Sequence, residues 1–263
     1  MFRVGIVQNS PKFLRVQENI LDVLSLVEKS KADLWVLPEF FASGYNFKNQ
    51  KEIFLVAENI PHGPTCRALS SWAKKKNCAI VAGLPEKSGR KIYNSAVLID
   101  KNSVHLYRKT HLFGREKEFF SSGNTGFWTH RVKGVKIGVM ICFDWFFPES
   151  ARTLALQGAQ LIAHSANLVL PWGPEGMKIR SLENHVFTAT ANRVGLERGL
   201  RYIGSSQVVS PYGEALSRLS DDRAESLVIA INPKLALDKS LNKNNDLFKD
   251  RRPKLYISNA RKP

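Results

Sequence analysis

One stretch of the sequence decides the fold: Val135-Lys-Ile-Gly-Val-Met-Ile-Cys142-Phe-Asp-Trp-Phe-Phe-Pro148-Glu. The residues before Cys142 are strongly apolar and predict a buried strand, and Pro148 is typical of the first turn of a helix. Cys142 therefore lies between a strand and a helix, where a side chain projects from the sheet edge and backbone N–H groups can face a developing oxyanion. The alternative is a buried structural cysteine, the commonest setting of a free thiol.

On both sides of this stretch, predicted strands alternate with predicted helices. Strands are expected at residues 2–8, 34–37, 78–83, 95–99, 103–108, 135–141, 161–163, 202–211 and 226–231. Helices are expected at residues 16–31, 65–76, 148–157 and 177–193. Because βαβ units and hairpins are mixed in a chain without a repeat or a linker, we expect helices packed on sheets in one α/β domain over residues 1–263.

Composition excludes several classes of protein. The chain has 263 residues, of which 43% are hydrophobic, and this fraction excludes a disordered chain. No apolar run approaches the roughly 18 to 20 residues of a membrane span, and residues 1–8 are interpreted as a buried strand rather than a signal peptide. The chain has three cysteines, Cys66, Cys78 and Cys142. Their odd number argues against a disulfide framework, and their spacing is not that of a zinc site. A reduced, cytoplasmic setting is therefore expected.

The chain is strongly basic. It contains 39 Lys and Arg against 23 Asp and Glu, a formal net charge of +16, and residues 239–263 alone hold eight basic and two acidic residues. Such a charge can favour binding of nucleic acid or of an anionic substrate, or it can increase solubility alone. We expect a solvated surface and a charged tail, because the sequence has no helix-turn-helix, zinc-finger or RNA-binding signature. A non-catalytic protein associated with nucleic acid is the competing class.

Two other predicted strands end in an ionisable residue. Glu39 follows the strand at 34–37, and Lys109 follows the strand at 103–108. Taken singly, Glu39 is a loop carboxylate and Lys109 a solvated lysine, but ligands of α/β sheets gather at strand ends. Together with Cys142 they supply a base for the thiol proton and a cation for an oxyanion, which makes an acyl-transfer site without histidine. A cysteine–histidine site is the alternative, since the chain has six histidines, although none lies in a papain-like context.

The sequence resembles the nitrilase, or carbon-nitrogen hydrolase, superfamily over essentially its whole length. The resemblance rests on blocks that occur in order: Leu-Pro-Glu39, Tyr107-Arg-Lys109-Thr-His-Leu-Phe113, Gly138-Val-Met-Ile-Cys142-Phe-Asp, His164-Ser-Ala-Asn167-Leu, Arg180-Ser-Leu-Glu183-Asn184 and Ala191-Asn192-Arg193-Val-Gly195. Within the superfamily the chain is most similar to the archaeal-type aliphatic nitrilase and amidase group, through the run after Cys142 and the ending Asn245-Asp-Leu-Phe-Lys-Asp-Arg-Arg252.

This resemblance implies a four-layer α-β-β-α sandwich and a catalytic triad of Glu39, Lys109 and Cys142. A second family glutamate corresponds to Glu116 in Phe113-Gly-Arg-Glu116-Lys-Glu118-Phe, with Glu118 as the neighbouring alternative and a loop salt bridge as the structural interpretation of Glu116. The implied reaction is hydrolysis of a non-peptide C–N bond through a Cys142 thioester, with release of ammonia. It requires neither a metal nor an organic cofactor.

The resemblance leaves the substrate open between an amide and a nitrile. Cys142-Phe143-Asp144 looks more like amidases and carbamoylases than the Cys-Trp-Glu of most nitrilases, so a small aliphatic amide is favoured and an aliphatic nitrile is the alternative. The backbone N–H of Phe143 is expected to assist Lys109 at the oxyanion. Candidates for the pocket wall, each with core packing as its alternative, are Tyr45, Phe143, Trp145, Phe146, Asn167 and Trp172.

The resemblance also implies an assembly. Family dimers form through the helices that are predicted here at residues 148–157 and 177–193, and the C-terminal tail usually crosses to the neighbouring subunit. We therefore expect a homodimer or a higher homo-oligomer, with no membrane partner, and the basic tail then serves assembly rather than nucleic acid.

Overall fold

The computed structural model describes residues 1–101 and 103–256, which contain two six-stranded sheets packed face to face. The strands are β1 (Phe2–Gln8), β2 (Leu34–Val36), β3 (Ala79–Ser88), β4 (Lys91–Ile99), β5 (Val104–Arg108), β6 (Thr129–Val132), β7 (Val135–Ile141), β8 (Leu161–Ser165), β9 (Phe187–Ala191), β10 (Val194–Glu197), β11 (Leu200–Ile203), β12 (Gln207–Val209), β13 (Ala215–Arg218), β14 (Glu225–Ile231), β15 (Ser240–Asn242) and β16 (Asn245–Asp246). The helices are α1 (Val16–Val27), α2 (Gln50–Phe54), α3 (Pro64–Lys76), α4 (Glu116–Phe119), α5 (Pro148–Leu156) and α6 (Trp172–Asn184). Short 3₁₀ turns lie at Cys142–Phe146, Pro233–Leu237 and Pro253–Leu255.

The alternation of side chains along the strands explains the layers. The first sheet has the order β14-β1-β2-β3-β4-β5, and the second has the order β13-β12-β9-β8-β7-β6. Along β1, Val4 and Ile6 face the second sheet, whereas Val7 faces the helices. Helices α1 and α3 cover the outer face of the first sheet, and α5 and α6 cover that of the second. This four-layer α-β-β-α sandwich confirms the predicted fold class.

Strand direction brings several strand ends to one end of the sandwich. Strands β1, β2 and β3 are parallel, as are β7, β8 and β9. Strand β5 pairs antiparallel with β4, which pairs antiparallel with β3, so β5 runs in the direction of β3. At the end of β8, Ser165 Oγ donates a hydrogen bond to the carbonyl oxygen of Leu37, which follows β2, at 2.7 Å. The carboxyl ends of β2, β5, β7 and β8 therefore meet at the same end.

The predicted helix at residues 177–193 is wrong in its second half. Helix α6 ends at Asn184, and His185 then adopts a left-handed conformation with φ +44°. The following residues form β9, which is wholly buried between β8 and β12. Pairing on both edges outweighs the helix propensity of the alanines in this segment, since strand preference depends mainly on context.

The strand predicted at residues 202–211 is also wrong as a single element. It is divided into β11, which pairs with β10, and β12, which belongs to the second sheet. Between them Gly204 has φ +56°, a left-handed conformation that favours glycine and turns the chain. Tertiary pairing thus separates two runs that have the same local strand pattern.

Other predicted boundaries differ by a few residues. Helix α1 ends at Val27, and β3 begins after Cys78 and continues to Ser88. The sequence patterns do not predict α2, α4, β6, β10, β13, β15 or β16. Residues 257–263 of the predicted basic tail lie outside the described residues. In the part of the chain that the structure describes, no helix is both long and apolar enough to cross a bilayer.

Candidate active site

Three of the predicted catalytic residues follow strand ends that meet inside the sandwich. Glu39 and Lys109 are fully buried, and Cys142 is 6% exposed. The backbone of Glu39 packs so closely against β3 that a Cβ at Gly83 would lie 2.6 Å from the Glu39 Cα. Any side chain at position 83 would therefore displace the backbone of Glu39. A glycine within a β-strand often marks such a close approach of two backbones.

Lys109 joins two carboxylates in a buried network. Its Nζ donates to Glu39 Oε1 and to Glu116 Oε1, both at 2.8 Å. Asn94 Nδ2 donates to the same Glu39 oxygen at 2.7 Å, and the Tyr45 hydroxyl donates to Glu116 Oε1 at 2.6 Å. Glu116 thus belongs to the network rather than to a surface salt bridge, while Tyr45 lies behind it as a hydrogen-bond donor.

The pKa values of Glu39 and Lys109 are both raised, but for different reasons. Burial raises the pKa of Glu39, the charge of Lys109 opposes this effect, and the charge of Glu116 adds to it. Burial disfavours the charged form of Lys109, but the charges of Glu116 and Glu39 outweigh it and raise the lysine pKa. Among the described residues, Glu39 Oε2 is buried without a hydrogen-bond partner. One carboxylate oxygen is therefore anchored and the other is open to accept a proton.

Cys142 lies at the start of the 3₁₀ turn in a strained conformation, with φ +37°. Such a conformation costs on the order of 1–3 kcal/mol and is frequent at active sites. Burial and the charge of Glu39 raise the thiol pKa well above its ordinary value, although the charge of Lys109 and a hydrogen bond from the Asn167 backbone N–H lower it. The resting thiol is neutral and needs a base before it can act as a nucleophile.

Asp144 holds the turn that carries Cys142. Its Oδ2 accepts hydrogen bonds from the Ile141 backbone N–H at 3.0 Å and the Tyr107 hydroxyl at 2.7 Å. Its Oδ1 accepts from the His111 backbone N–H at 3.2 Å and lies 2.8 Å from His111 Nδ1. Asp144 therefore ties the nucleophile turn to the loop after β5 that supplies Lys109.

The histidines near Cys142 have other partners. The His111 ring faces Asp144 and stacks on Phe147 with 3.7 Å between ring centroids. His164 Nε2 lies 2.9 Å from the carbonyl oxygen of Cys142, and burial lowers the pKa of His164 to about 4. The neutral His164 ring supports the backbone of the turn, so both contacts favour a carboxylate base over the cysteine–histidine alternative.

A cavity of about 190 Å³ opens onto Cys142. Five of the predicted wall residues line it, namely Phe143, Trp145, Phe146, Asn167 and Trp172. Its other walls are Phe113, Leu168, Val169 and Leu170, so none of the described residues that line the cavity has a charged side chain. The sixth predicted wall residue, Tyr45, does not line this cavity and is instead bonded to Glu116.

Sequence reasoning missed three residues around the site. Asn94 anchors Glu39 from within β4, where it lies beside a second polar residue, Ser95, and has no sequence signal of its role. Asp144 lies only two positions after Cys142, but the sequence does not indicate that it anchors the turn. Tyr202 is buried with its hydroxyl unpartnered among the described residues, and burial raises its pKa.

The described residues contain one group with spacing suited to a metal ion, and it lies outside this site. The group consists of Asp100, His105 and His130. Around Cys142, the carboxylates of Glu39 and Glu116 are instead both paired with Lys109. The chemistry available at the site is that of a thiol, a carboxylate base and an ammonium group.

The chain is similar to several known hydrolases. Residues 3–236 match the model of the carbon-nitrogen hydrolase family. The chain is 48% identical to a nitrilase of Pyrococcus abyssi over 98% of this chain and 100% of the relative, and 35% identical to an (R)-stereoselective amidase of a Pseudomonas species over 84% and 80%. A solved mutant of the amidase from Nesterenkonia sp. AN1, with acrylamide added to its active-site cysteine, superposes with a TM-score of 0.81 at 26% identity, covering 97% of this chain and 98% of that one.

Proposed function

The chain belongs to the carbon-nitrogen hydrolase family, and from this premise we propose that it hydrolyses a small, uncharged aliphatic amide to a carboxylic acid and ammonia. The observation that carries the proposal is the network in which Glu39 is anchored by Oε1 to Lys109 while its buried Oε2 has no partner among the described residues. A carboxylate held in this way beside a neutral buried thiol suits the base of a covalent mechanism.

In the first step, Glu39 Oε2 takes the proton of the Cys142 thiol as Sγ forms a bond to the substrate carbonyl carbon. The carbonyl electron pair moves to oxygen, which becomes an oxyanion. Lys109 Nζ has three N–H donors, and Glu39 and Glu116 accept two of them. The third N–H, together with the backbone N–H of Phe143, is assigned to the oxyanion, where such donors act most strongly in a water-poor site.

In the second step, the oxyanion collapses and the C–N bond breaks. Protonated Glu39 gives its proton to the leaving nitrogen, so ammonia departs and a thioester remains on Cys142. Water then attacks the thioester with Glu39 as base. As the C–S bond breaks and the acid is released, protonated Glu39 returns its proton to the Cys142 thiolate. Glu116 supports both steps by keeping the Lys109 ammonium in place and by raising the pKa of Glu39 through its negative charge.

The cavity supports an uncharged substrate tail. Among the described residues, its walls are aromatic and aliphatic side chains together with the Asn167 amide and the Cys142 thiol. Burying an unpaired carboxylate or ammonium against such walls is strongly unfavourable. A volume of about 190 Å³ admits a short chain, with Trp145 and Trp172 as the largest side chains on the wall.

Nitrile hydrolysis is the second candidate, and the 48% identity to the nitrilase of Pyrococcus abyssi favours it. In this reaction Sγ of Cys142 adds to the nitrile carbon and the nitrogen gains a proton, which gives a thioimidate. Addition of one water and loss of ammonia lead to the same thioester. The same residues therefore serve both substrates. The two reactions differ in the carbon that Cys142 attacks first, which is the carbonyl carbon of the amide or the nitrile carbon.

We also propose that the protein assembles as a homodimer or a higher homo-oligomer through α5 and α6. Leu156, Ile179 and Leu182 on these helices are large apolar residues that are 45%, 51% and 44% exposed in the single chain. Apolar side chains grouped on exposed helices are typical of protein interfaces.

A cytoplasmic setting is a further prediction, based on three cysteines that are all free.

A matched panel of substrates tests the proposed function. Butyramide and butyronitrile separate amide from nitrile hydrolysis, while succinamate and 4-aminobutyramide add one negative or one positive charge to a chain of similar length. We expect ammonia release from butyramide with a kcat/KM at least about 100-fold above both charged analogues, because the cavity offers no counter-charge. Faster turnover of butyronitrile would select the second candidate, and preference for a charged analogue would contradict the assignment of the cavity.

A further inference from the structure

A cluster of metal-ligating side chains lies at the edge of the sandwich, outside the candidate active site. Asp100 directly follows β4, His105 lies on β5, and His130 lies on β6. One ligand atom from each side chain lies within 4.8 Å of the others. Strands β5 and β6 are the edge strands of the two different sheets, so the cluster spans the open edge between them.

Strand alternation directs both imidazoles into the space between the sheets. On β5, His105 shares a face with Tyr107, which belongs to the core between the sheets. On β6, His130 shares a face with Val132, which belongs to the same core. The two rings lie against each other with 3.7 Å between their centroids and an angle of 33° between their planes.

The contacts of the cluster converge on one carboxylate. His130 Nε2 lies 2.8 Å from Asp100 Oδ2. Ser103 Oγ lies 2.8 Å from both Asp100 Oδ1 and His105 Nε2. The side chains of His130 and Asp100 are 26% and 25% exposed, so solvent reaches the cluster. Two imidazole nitrogens and a carboxylate oxygen thus lie close together where solvent has access.

We propose that Asp100, His105 and His130 form a binding site for Zn²⁺. Two imidazole nitrogens and one carboxylate oxygen, with water in the fourth position, form a common zinc ligand set. Ligands about 2.0 to 2.2 Å from a tetrahedral Zn²⁺ stand roughly 3.4 Å apart, so the three donors need a modest contraction from their present spacing. Mg²⁺ and Ca²⁺ suit the site less, because they prefer oxygen ligands throughout.

The surroundings of the cluster are compatible with a bound cation. Trp128 packs beside His105 with ring centroids 5.9 Å apart. Its Nε1 donates to the Leu106 carbonyl oxygen at 2.9 Å, and this hydrogen bond holds the indole ring beside His105. The neighbouring Arg131 lies on the opposite face of β6 from His130, and its Nη1 donates to the Gly134 carbonyl oxygen at 3.0 Å. Ser103 can continue to hold the carboxylate after His105 turns to the metal.

The position of the site separates the metal from the proposed hydrolysis. His105 precedes Lys109 by four positions on and after β5, about 13 Å along an extended chain. No step of the proposed hydrolysis reaches that far. The metal would instead connect the edge of the first sheet, through Asp100 and His105, to the edge of the second, through His130. Ligands from three separate segments also explain why spacing along the sequence does not reveal the site.

The test uses the untagged full-length chain after dialysis against a chelator. We expect one Zn²⁺ per chain by elemental analysis after equilibrium dialysis, visible absorption bands of a low-coordinate centre on Co²⁺ substitution, and a rise in Tm of about 5 °C at a hundredfold excess over Kd. His130→Ala and the more conservative Asp100→Asn should each weaken Zn²⁺ binding by more than about 100-fold, and Asp100→Asn keeps the shape of the side chain if His130→Ala fails to fold.

Two controls separate this site from others. His62→Ala removes an exposed histidine and should leave the Zn²⁺ stoichiometry and the hydrolase activity unchanged. Cys142→Ala should also retain Zn²⁺, because the thiol is not a ligand of this site. The proposal is overturned by the absence of bound Zn²⁺, by binding that survives in both His130→Ala and Asp100→Asn, or by binding that is lost in Cys142→Ala.

Discussion

Replacing Lys109 with Met removes the cation at the centre of the buried network. In the structure its ammonium contacts Glu39 and Glu116, each at 2.8 Å, and all three side chains are almost completely buried. Methionine fills a similar volume but carries neither charge nor N–H donor. The change therefore acts on the oxyanion and on the two carboxylates, while the packing around the side chain is largely kept.

The expected loss has two parts. Removal of one oxyanion donor typically costs about 2.7 to 4 kcal/mol, or roughly a hundred- to a thousandfold in kcat. In addition, the charge of Lys109 lowers the pKa of Glu39, so its removal raises that pKa further. Below the new pKa, the fraction of ionised Glu39 falls about tenfold for each unit. We expect kcat at pH 7 to fall at least about a thousandfold, with partial recovery at higher pH.

The assay is ammonia release from butyramide between pH 5 and 9, with kcat and KM determined separately. Lys117→Met is the matched control, because Lys117 is an exposed lysine in the same segment and should retain full activity. Lys109→Arg should not restore kcat, since a planar guanidinium does not replace a compact ammonium in a closed site. A melting curve of each variant shows whether it is folded.

The assignment of Lys109 is refuted if the folded Met variant keeps kcat within tenfold of the original chain, or if only KM changes. His111→Ala provides a further comparison, because His111 is bonded to Asp144. Measurable turnover is expected in His111→Ala. An inactive His111→Ala beside an active Lys109→Met would show that the base is a histidine.

Three further predictions follow from the same network. Because burial raises the pKa of Glu39, kcat/KM should fall as the pH decreases through a value above the ordinary carboxyl range, and a limb at an ordinary carboxyl pKa would contradict this. Glu116→Gln removes a charge that raises the pKa of Glu39, so the acid limb should move to lower pH while kcat decreases; Glu118→Gln, an exposed partner of Arg115, should change neither quantity. Asp144→Asn should lower kcat about 10- to 100-fold with little effect on KM, because the nucleophile turn loses its anchoring charge, and an unchanged kcat would show that the contact is only structural.

The sequence predicts those parts of the fold that depend on strong local patterns. The apolar run Val135–Ile141 forms the strand that was expected, and Pro148 begins α5. The helix predicted at 177–193 fails because β9 is stabilised by its neighbours β8 and β12, a long-range effect that local periodicity does not contain. For the same reason the division of residues 202–211 between two pairings was missed.

For the candidate site, residues at strand ends were easier to find than residues within strands. Glu39, Lys109 and Cys142 each follow a predicted strand, and the structure brings Glu39 and Lys109 to 2.8 Å of each other. Asn94 lies inside β4, where a polar residue carries no local sign of its partner Glu39. Tyr45 was placed at the cavity wall, but its hydroxyl faces Glu116 instead, since an aromatic residue near a site can serve the network behind it.

The central claim is that Cys142 carries the acyl group during turnover, and mass spectrometry of the acid-quenched enzyme tests it most directly. During turnover of butyramide we expect an adduct of one butyryl group on the peptide that contains Cys142, and no turnover or adduct in Cys142→Ala. Cys66 and Cys78 should stay unmodified, because both are buried and neither lines the cavity at Cys142. An adduct on either of these residues, or full activity in Cys142→Ala, would contradict the mechanism.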